Sequence, residues 1–175
     1  MVLYHELMPK EDYGELWDYL SQAQKDLLIE GEFLKNDVIK DVKYVFKDYS
    51  FLVFPFAKAF EGFLKQIFKD VGYLSRLDYI SDHLRLGKLL SPNLIGKLGD
   101  RSLYKQLEKT EGREFAERIW LTWKEGRNQV FHYFPHNYKA LTFEEAEDII
   151  NDMNAVMKET YLKLQIPKLK ESKQA

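Results

Sequence analysis

The sequence contains no cysteine. This absence excludes disulfide bonds, cysteine-ligated zinc, iron–sulfur clusters and thiol nucleophiles. Glycine and proline are scarce, with 9 and 5 residues in a chain of 175, and no phosphate-binding loop of the form G-x-x-x-x-G-K-[ST] occurs. The longest apolar run, 51–57, is much shorter than the roughly 20 residues of a membrane-spanning helix. The first residues lack a basic segment followed by an apolar one, so we expect no signal peptide, no membrane partner and a cytoplasmic location.

What is present predicts helices. Hydrophobic residues make up 45% of the chain, enough to bury a core, and they recur mostly at spacings of three and four. This pattern predicts an all-α bundle of six to seven helices. The expected helical stretches are 9–30, 36–47, 50–71, 76–90, 101–109, 113–134 and one that begins near 142. We expect three parts: an acidic helical extension over 1–48, the bundle over 49–165 and a polar tail over 166–175.

Charge is unevenly distributed although the net charge is only −2. Residues 1–48 hold 6 basic and 11 acidic groups, whereas residues 49–139 hold 15 basic and 10 acidic groups. The remainder, 140–175, holds 5 basic and 7 acidic groups. A positive middle portion favours a polyanionic partner such as RNA, and chance fluctuation of the composition is the alternative interpretation.

One segment concentrates groups with catalytic chemistry. Arg127, Asn128 and His132 fall within six residues at the end of an apolar helix. Arginine offers a permanent positive fork for phosphate, and histidine exchanges a proton near neutral pH. Metal-independent RNA cleavage needs a base for the ribose 2′-OH, an acid for the leaving 5′-oxygen and a cation for the phosphorane. The segment therefore predicts His132 as general acid/base, Arg127 on the scissile phosphate and Asn128 holding the phosphate or the arginine.

A second arginine–histidine pair, Arg76 and His83, has six residues between its members. No asparagine follows Arg76, and the pair lies on an amphipathic stretch where a solvated face explains both side chains. The Arg127–His132 pair is therefore the preferred candidate.

The R-x4-H spacing of Arg127 and His132, with Asn128 directly after the arginine, resembles the R-x(4–6)-H signature of HEPN ribonucleases, which are compact α-helical bundles. The stretch 59–65, AFEGFLK, is similar to a buried helix of the RNase LS-type toxins in that superfamily. The resemblance covers about residues 50–160. It implies a cofactor-free, metal-independent endoribonuclease that acts as a homodimer, with two motifs facing each other across a cleft. It also implies an antitoxin partner that covers the cleft, and it places the acidic site residue at Glu61.

Glu61 lies among phenylalanines, where an unpaired carboxylate is costly. A cationic partner is therefore expected, and Arg127, His132, Lys58 and Lys65 are the candidates. Two interpretations stay open. Glu61 either orients the arginine or carries a proton in catalysis, or it forms an ion pair that serves only the bundle.

Two further residues are candidate substrate contacts. Lys58 adds positive charge at helical spacing from Glu61, and Tyr133 can stack on a base, with a place in the core or a dimer interface as its alternative. His132 and His136 have the spacing of a zinc-binding pair, but no H-E-x-x-H pattern exists, so we expect no metal site.

The spacing of the motif raises a geometric question. Five positions correspond to about 140° around an ideal α-helix, so Arg127 and His132 would not share a face. Either the helix distorts here or a second copy of the chain completes the site. The alternative to an enzyme is a non-catalytic HEPN-like module that binds nucleotide or RNA, or another protein.

Overall fold

The computed structural model describes residues 13–164, except for the side chains of 128 and 129. This part of the chain is helical and contains no strand, which confirms the predicted all-α bundle. Its principal helices are α1 Glu15–Tyr19, α2 Gln22–Phe33, α3 Ser50–Asp70, α4 Arg76–Tyr79, α5 Leu86–Leu90, α6 Ile95–Leu98, α7 Leu103–Glu111, α8 Arg113–Trp123 and α9 Phe143–Leu164.

Helix α3 is the centre of the bundle, and α2 and α9 pack along it. Its bounds agree with the predicted 50–71. Each buried phenyl ring contributes about 1.5–3 kcal/mol through removal of apolar surface from water. The fully buried side chains of α3 include Leu52, Val53, Phe60, Phe63, Leu64, Ile67 and Phe68. Leu16 of α1 and Leu28 of α2 belong to the same core cluster.

The predicted helix 9–30 is interrupted at Ser21, and its first residues lie outside the described range. The Ser21 hydroxyl accepts a hydrogen bond from the backbone N–H of Gln24, whose side chain accepts from the Ser21 N–H at 2.9 Å. This reciprocal cap satisfies two N–H groups that a helix start leaves open. Serine therefore begins α2 rather than continuing α1.

The predicted helix 36–47 is wrong in its second half. A π-helical turn, Leu34–Val38, and a last helical turn, Ile39–Asp41, follow α2, and the backbone of Val42 is extended. Val42 and Val45 are largely exposed, so no core contact holds a β-branched stretch in a helix. The predicted domain boundary after residue 48 falls in this non-helical segment, and the division into an extension and a bundle stays a prediction.

The predicted helix 76–90 is also divided. Only α4 and α5 are helical, and the backbone between them is irregular. Leu77 and Ile80, two apolar residues at helical spacing in this stretch, are 76% and 64% exposed. Without burial of that face, a continuous helix gains little from packing.

The α-helical part of the predicted stretch 113–134 ends at Trp123 and continues as a π-helical segment, Lys124–Gln129. Gly126 lies against Met153 and Ile149 of α9, and a Cβ atom at this position would collide with the end of Met153. The π-helical segment can therefore lie this close to α9 only because residue 126 has no side chain. The last helix begins near residue 142 as predicted, and Thr142 and Glu145 form a reciprocal cap at its start.

Candidate functional site

One face of α3 carries the site. Phe54, Lys58, Glu61 and Lys65 recur at spacings of four, three and four, so they form one stripe along the helix. The Lys65 ammonium lies 2.9 Å from Oε1 of Glu61, and both side chains are about a quarter exposed. The expectation that Glu61 has a cationic partner at helical spacing is therefore correct.

Arg127 approaches the same carboxylate from the π-helical segment. Its Nε atom lies 3.6 Å from Oε2 of Glu61, and its guanidinium carbon lies 5.7 Å from the centre of the Trp123 ring. Glu61 thus contacts a different cation with each oxygen. The arginine side chain stays 44% exposed, which leaves it accessible to a phosphate from solvent.

The chain after Arg127 runs antiparallel to α3. Arg127 contacts Glu61, and four residues later the Phe131 ring meets Phe54, which lies seven residues before Glu61, with ring centres 5.5 Å apart. Lys58 lies between these two contacts on the helix, and its Nζ is 5.5 Å from the centre of the Phe54 ring. The predicted residues Lys58, Glu61 and Arg127 therefore share one side of the molecule.

His132 follows Phe131 directly and is exposed. The helix distorts before it, because Arg127 belongs to a π-helical segment that ends at Gln129. Distortion was one of the two geometric expectations, and π-helical turns are frequent at functional sites. Tyr133 is 81% exposed. The side chain of Asn128 lies outside the described part of the structure, so its predicted role stays a prediction.

A cleft of about 520 Å³ opens beside the Glu61–Arg127 contact. One wall comes from α3 and the π-helical segment through Glu61, Lys65 and Arg127, and another comes from residues 82–91. Its charged lining comprises four basic residues, Lys65, Arg85, Lys88 and Arg127, and two acidic ones, Glu61 and Asp82. The volume suits a small ligand and the excess of cations favours an anion. His132 is not among the lining residues.

Two tryptophans, Trp120 and Trp123, also line the cleft. Trp123 is nearly buried because Gly87 of α5 lets its indole come close: a Cβ atom on Gly87 would lie 2.6 Å from the indole Nε1. This contact sets the spacing between the two walls. Trp120, three positions before Trp123 on α8, is partly exposed at the cleft surface.

The loop after His132 is fixed to the start of α3 by Asp48. Its carboxylate accepts hydrogen bonds from the Asn137 amide at 2.9 Å and from the N–H groups of Leu141 and Ser50. Partial burial acts to raise the pKa of Asp48, but the hydrogen bonds from Ser50, Asn137 and Leu141 outweigh it and hold that pKa below its usual value. His136 and Asn137 both adopt positive φ angles, 58° and 51°, an unfavourable conformation that these hydrogen bonds help to maintain.

Sequence reasoning missed Arg85 and Lys88. Nothing in their spacing relates them to position 127, and only the fold brings residues 82–91 beside α3. Lys65 was identified only as a partner of Glu61, although its helical spacing to that carboxylate already placed it at the site. Arg76 and His83 do not line the cleft.

The chain matches no protein-family model, no curated protein and no solved structure. The resemblance to HEPN ribonucleases therefore rests on the motif residues quoted above. Within residues 13–164, no helix combines the length and apolarity needed to cross a bilayer. In the same range, no three side chains of His, Asp or Glu form a cluster suited to a metal ion.

Proposed function

We propose that this chain is a HEPN-type endoribonuclease that cleaves RNA without a metal ion, and that it acts as the toxin of a toxin–antitoxin pair. The observation that carries the proposal is the contact of Arg127 with Glu61 at the edge of a cationic, tryptophan-lined cleft. The acidic residue and the arginine implied by the resemblance come from separate parts of the chain and meet there.

The proposed reaction is transesterification at phosphorus. The ribose 2′-oxygen attacks the adjacent phosphorus as a base removes its proton, and the bond to the 5′-oxygen breaks as an acid protonates that oxygen. The products carry a 2′,3′-cyclic phosphate and a 5′-hydroxyl group. His132 supplies the proton transfer, Arg127 stabilises the charge on the phosphorane, and Glu61 holds Arg127 in place.

A homodimer is part of the proposal, because one imidazole cannot be a base and an acid in the same step. His132 from two copies supplies both protonation states. The surface beside the motif supports this assembly: Phe54, Phe131 and Tyr133 are 50%, 38% and 81% exposed, and a second copy would cover them. Tyr133 then packs in the interface or stacks on a base.

The central experiment measures cleavage of a labelled RNA by the full chain in the presence of excess EDTA. We expect wild type to cut and to leave 2′,3′-cyclic phosphate ends. His132→Ala and Arg127→Ala are expected to lower the rate by at least about a hundredfold. His83→Ala and Arg76→Ala are the matched controls, since both residues are exposed and lie outside the cleft lining. Equal rates for His132→Ala and His83→Ala would refute the assigned role.

The dimer is tested by mixing wild type with an excess of His132→Ala. Because the proposed reaction uses His132 of both copies, mixed dimers hold only one of the two imidazoles, and the activity per wild-type chain should fall as the variant is added. Light scattering should give twice the chain mass. Expression of wild type, but not of His132→Ala, should arrest growth, and co-expression of an antitoxin should prevent the arrest.

A second function, a non-catalytic module that binds RNA or nucleotide, is favoured by the absence of His132 from the cleft lining. It predicts saturable binding of RNA that weakens with salt, and no strand scission at any enzyme concentration. The same cleavage assay separates the two functions.

A further inference from the structure

The proposed chemistry uses only one wall of the cleft. The other wall, from residues 82–91, presents Arg85 and Lys88 to the same 520 Å³ space. Neither this second wall nor Trp120, which lines the same cleft, has a role in the proposed reaction. Two basic residues on this wall favour an anionic ligand there.

Arg85 and Lys88 are three positions apart at the start of α5 and both are exposed. Like charges at this spacing repel each other on a helix. Within the described residues neither side chain forms an ion pair, and the Arg85 guanidinium donates a hydrogen bond of 3.0 Å to the carbonyl oxygen of Asp82. That bond fixes one edge of the guanidinium against the loop. The two positive charges therefore line the cleft without a direct ion pair, although the acidic Asp82 belongs to the same wall.

Packing of α8 against α5 positions the two tryptophans of the cleft. Trp123 is nearly buried against Gly87, and Trp120, three positions earlier on α8, is partly exposed in the cleft. A partly exposed indole in a cleft that two cations also line matches the way single-stranded nucleic acids are bound, with bases stacked on aromatic rings and the backbone neutralised by basic groups. The cleft thus offers a phosphate position near Arg127 and a second one near Arg85.

We propose that Arg85, Lys88 and Trp120 form a subsite for the nucleotide that adjoins the scissile phosphate, with the two cations on its phosphate and the indole on its base. This inference rests on the proposed function, because it takes the phosphate at Arg127 as the one that reacts. It adds specificity-determining residues that do not touch the reacting atoms. RNA that fills both positions binds more tightly than RNA that fills only the position at Arg127.

The first test measures binding of a fluorescent single-stranded RNA of twelve nucleotides as salt is varied. The protein carries His132→Ala so that the RNA stays intact. Adding Arg85→Ala and Lys88→Ala should weaken binding about tenfold and lower the salt slope by about 0.7, which corresponds to one neutralised phosphate on a single strand. The matched control is Lys97→Ala with Lys109→Ala, which removes the same charge from exposed positions outside the cleft lining. An unchanged slope relative to this control overturns the subsite.

The second test uses wild-type His132 and two substrates, the same RNA and a dinucleotide with a single phosphate. Loss of Arg85 and Lys88 should reduce kcat/KM about tenfold for the long RNA and change it less than twofold for the dinucleotide. Equal losses on both substrates would place the two cations at the reacting phosphate and overturn the assignment.

The indole is tested by fluorescence. RNA should quench tryptophan emission in wild type, and Trp120→Phe should remove most of the quenching while leaving the unfolding temperature close to that of wild type. Quenching that persists in Trp120→Phe contradicts stacking at this residue. The outcomes also separate the two proposals: binding with the predicted slope change but no scission refutes the nuclease and retains the subsite. Scission that is indifferent to Arg85 and Lys88 retains the nuclease and refutes the subsite.

Discussion

Asp48 accepts a hydrogen bond of 2.9 Å from the side-chain amide of Asn137, although 89 positions separate the two residues. The other carboxylate oxygen accepts from the backbone N–H of Leu141 at 3.2 Å. In addition, the backbone N–H of Tyr49 donates a hydrogen bond of 2.9 Å to the carbonyl oxygen of Leu141. Together these bonds fix the loop after His132 to the beginning of α3, the helix that carries Glu61.

Replacing Asp48 by Asn tests this connection. The amide keeps the size of the side chain but loses the charge that several donors share, so we expect the free energy of unfolding to fall by about 1–3 kcal/mol. Urea denaturation measures the change. Asp41→Asn is the control, because Asp41 is exposed at the end of its helical turn and should change stability by less than about 0.5 kcal/mol. Equal effects of the two substitutions would show that the connection contributes nothing.

The lowered pKa of Asp48 gives this connection a pH dependence. Because the folded-state pKa lies below the unfolded one, the unfolded state binds more protons between the two values. The stabilisation is thus fully present above the unfolded pKa of about 4 and is lost as pH falls through the lower folded-state pKa. Wild type should exceed Asp48→Asn in stability at pH 7, and the difference should shrink below about pH 4. A difference that stays constant down to pH 2.5 contradicts this account.

The fold was predictable where burial and local signals agree. Helix α3 has apolar residues on most of its surface, and α9 has a cap at Thr142 that operates within four residues, so both were located correctly. The prediction failed over 42–47, where Val42 and Val45 face solvent. The periodicity of apolar residues identifies a helix face that could be buried. Only the tertiary contacts decide whether that face is buried in the folded chain.

Part of the candidate site was also predictable from the sequence. Glu61 and Lys65 are neighbours on one helix turn, and the need to neutralise a carboxylate among phenylalanines pointed to Arg127 as a partner. The second wall was not predictable, because the position of Arg85 depends on how closely Gly87 approaches Trp123. The π-helical segment depends likewise on the packing of Gly126 against α9.

The approach of Gly87 to Trp123 predicts the effect of a single added methyl group. A Cβ atom 2.6 Å from the indole Nε1 forces the ring or the helix to move, which costs about 1–3 kcal/mol of stability. Gly87→Ala should also shift the tryptophan emission maximum and weaken RNA binding. Gly96→Ala is the control: nothing lies within 4 Å of its added Cβ, so the helical preference of alanine should leave stability unchanged or raise it by up to about 1 kcal/mol. A Gly87→Ala protein as stable as Gly96→Ala would refute the contact.

The variant Glu61→Gln distinguishes the two interpretations of Glu61, a role in the reaction and an ion pair that serves only the bundle. Its contacts with Lys65 and Arg127 are partly exposed ion pairs, and such pairs contribute about 0–1 kcal/mol each. Glu61→Gln should therefore lower stability by no more than about 2 kcal/mol, whereas loss of the carboxylate releases Arg127 and should reduce RNA cleavage by about ten- to a hundredfold. Glu61→Asp keeps the charge and should retain an intermediate rate.

The control for Glu61 is Glu108→Gln on the exposed side of α7, which should leave both the cleavage rate and stability unchanged. A fall in kcat with little change in KM would indicate that Glu61 orients Arg127 for the transition state, because an interaction made only there affects kcat. If Glu61→Gln cleaves RNA at the wild-type rate and loses stability alone, the carboxylate serves only the bundle. Arg127 would then need no orienting partner, and Glu61 would have no part in the reaction.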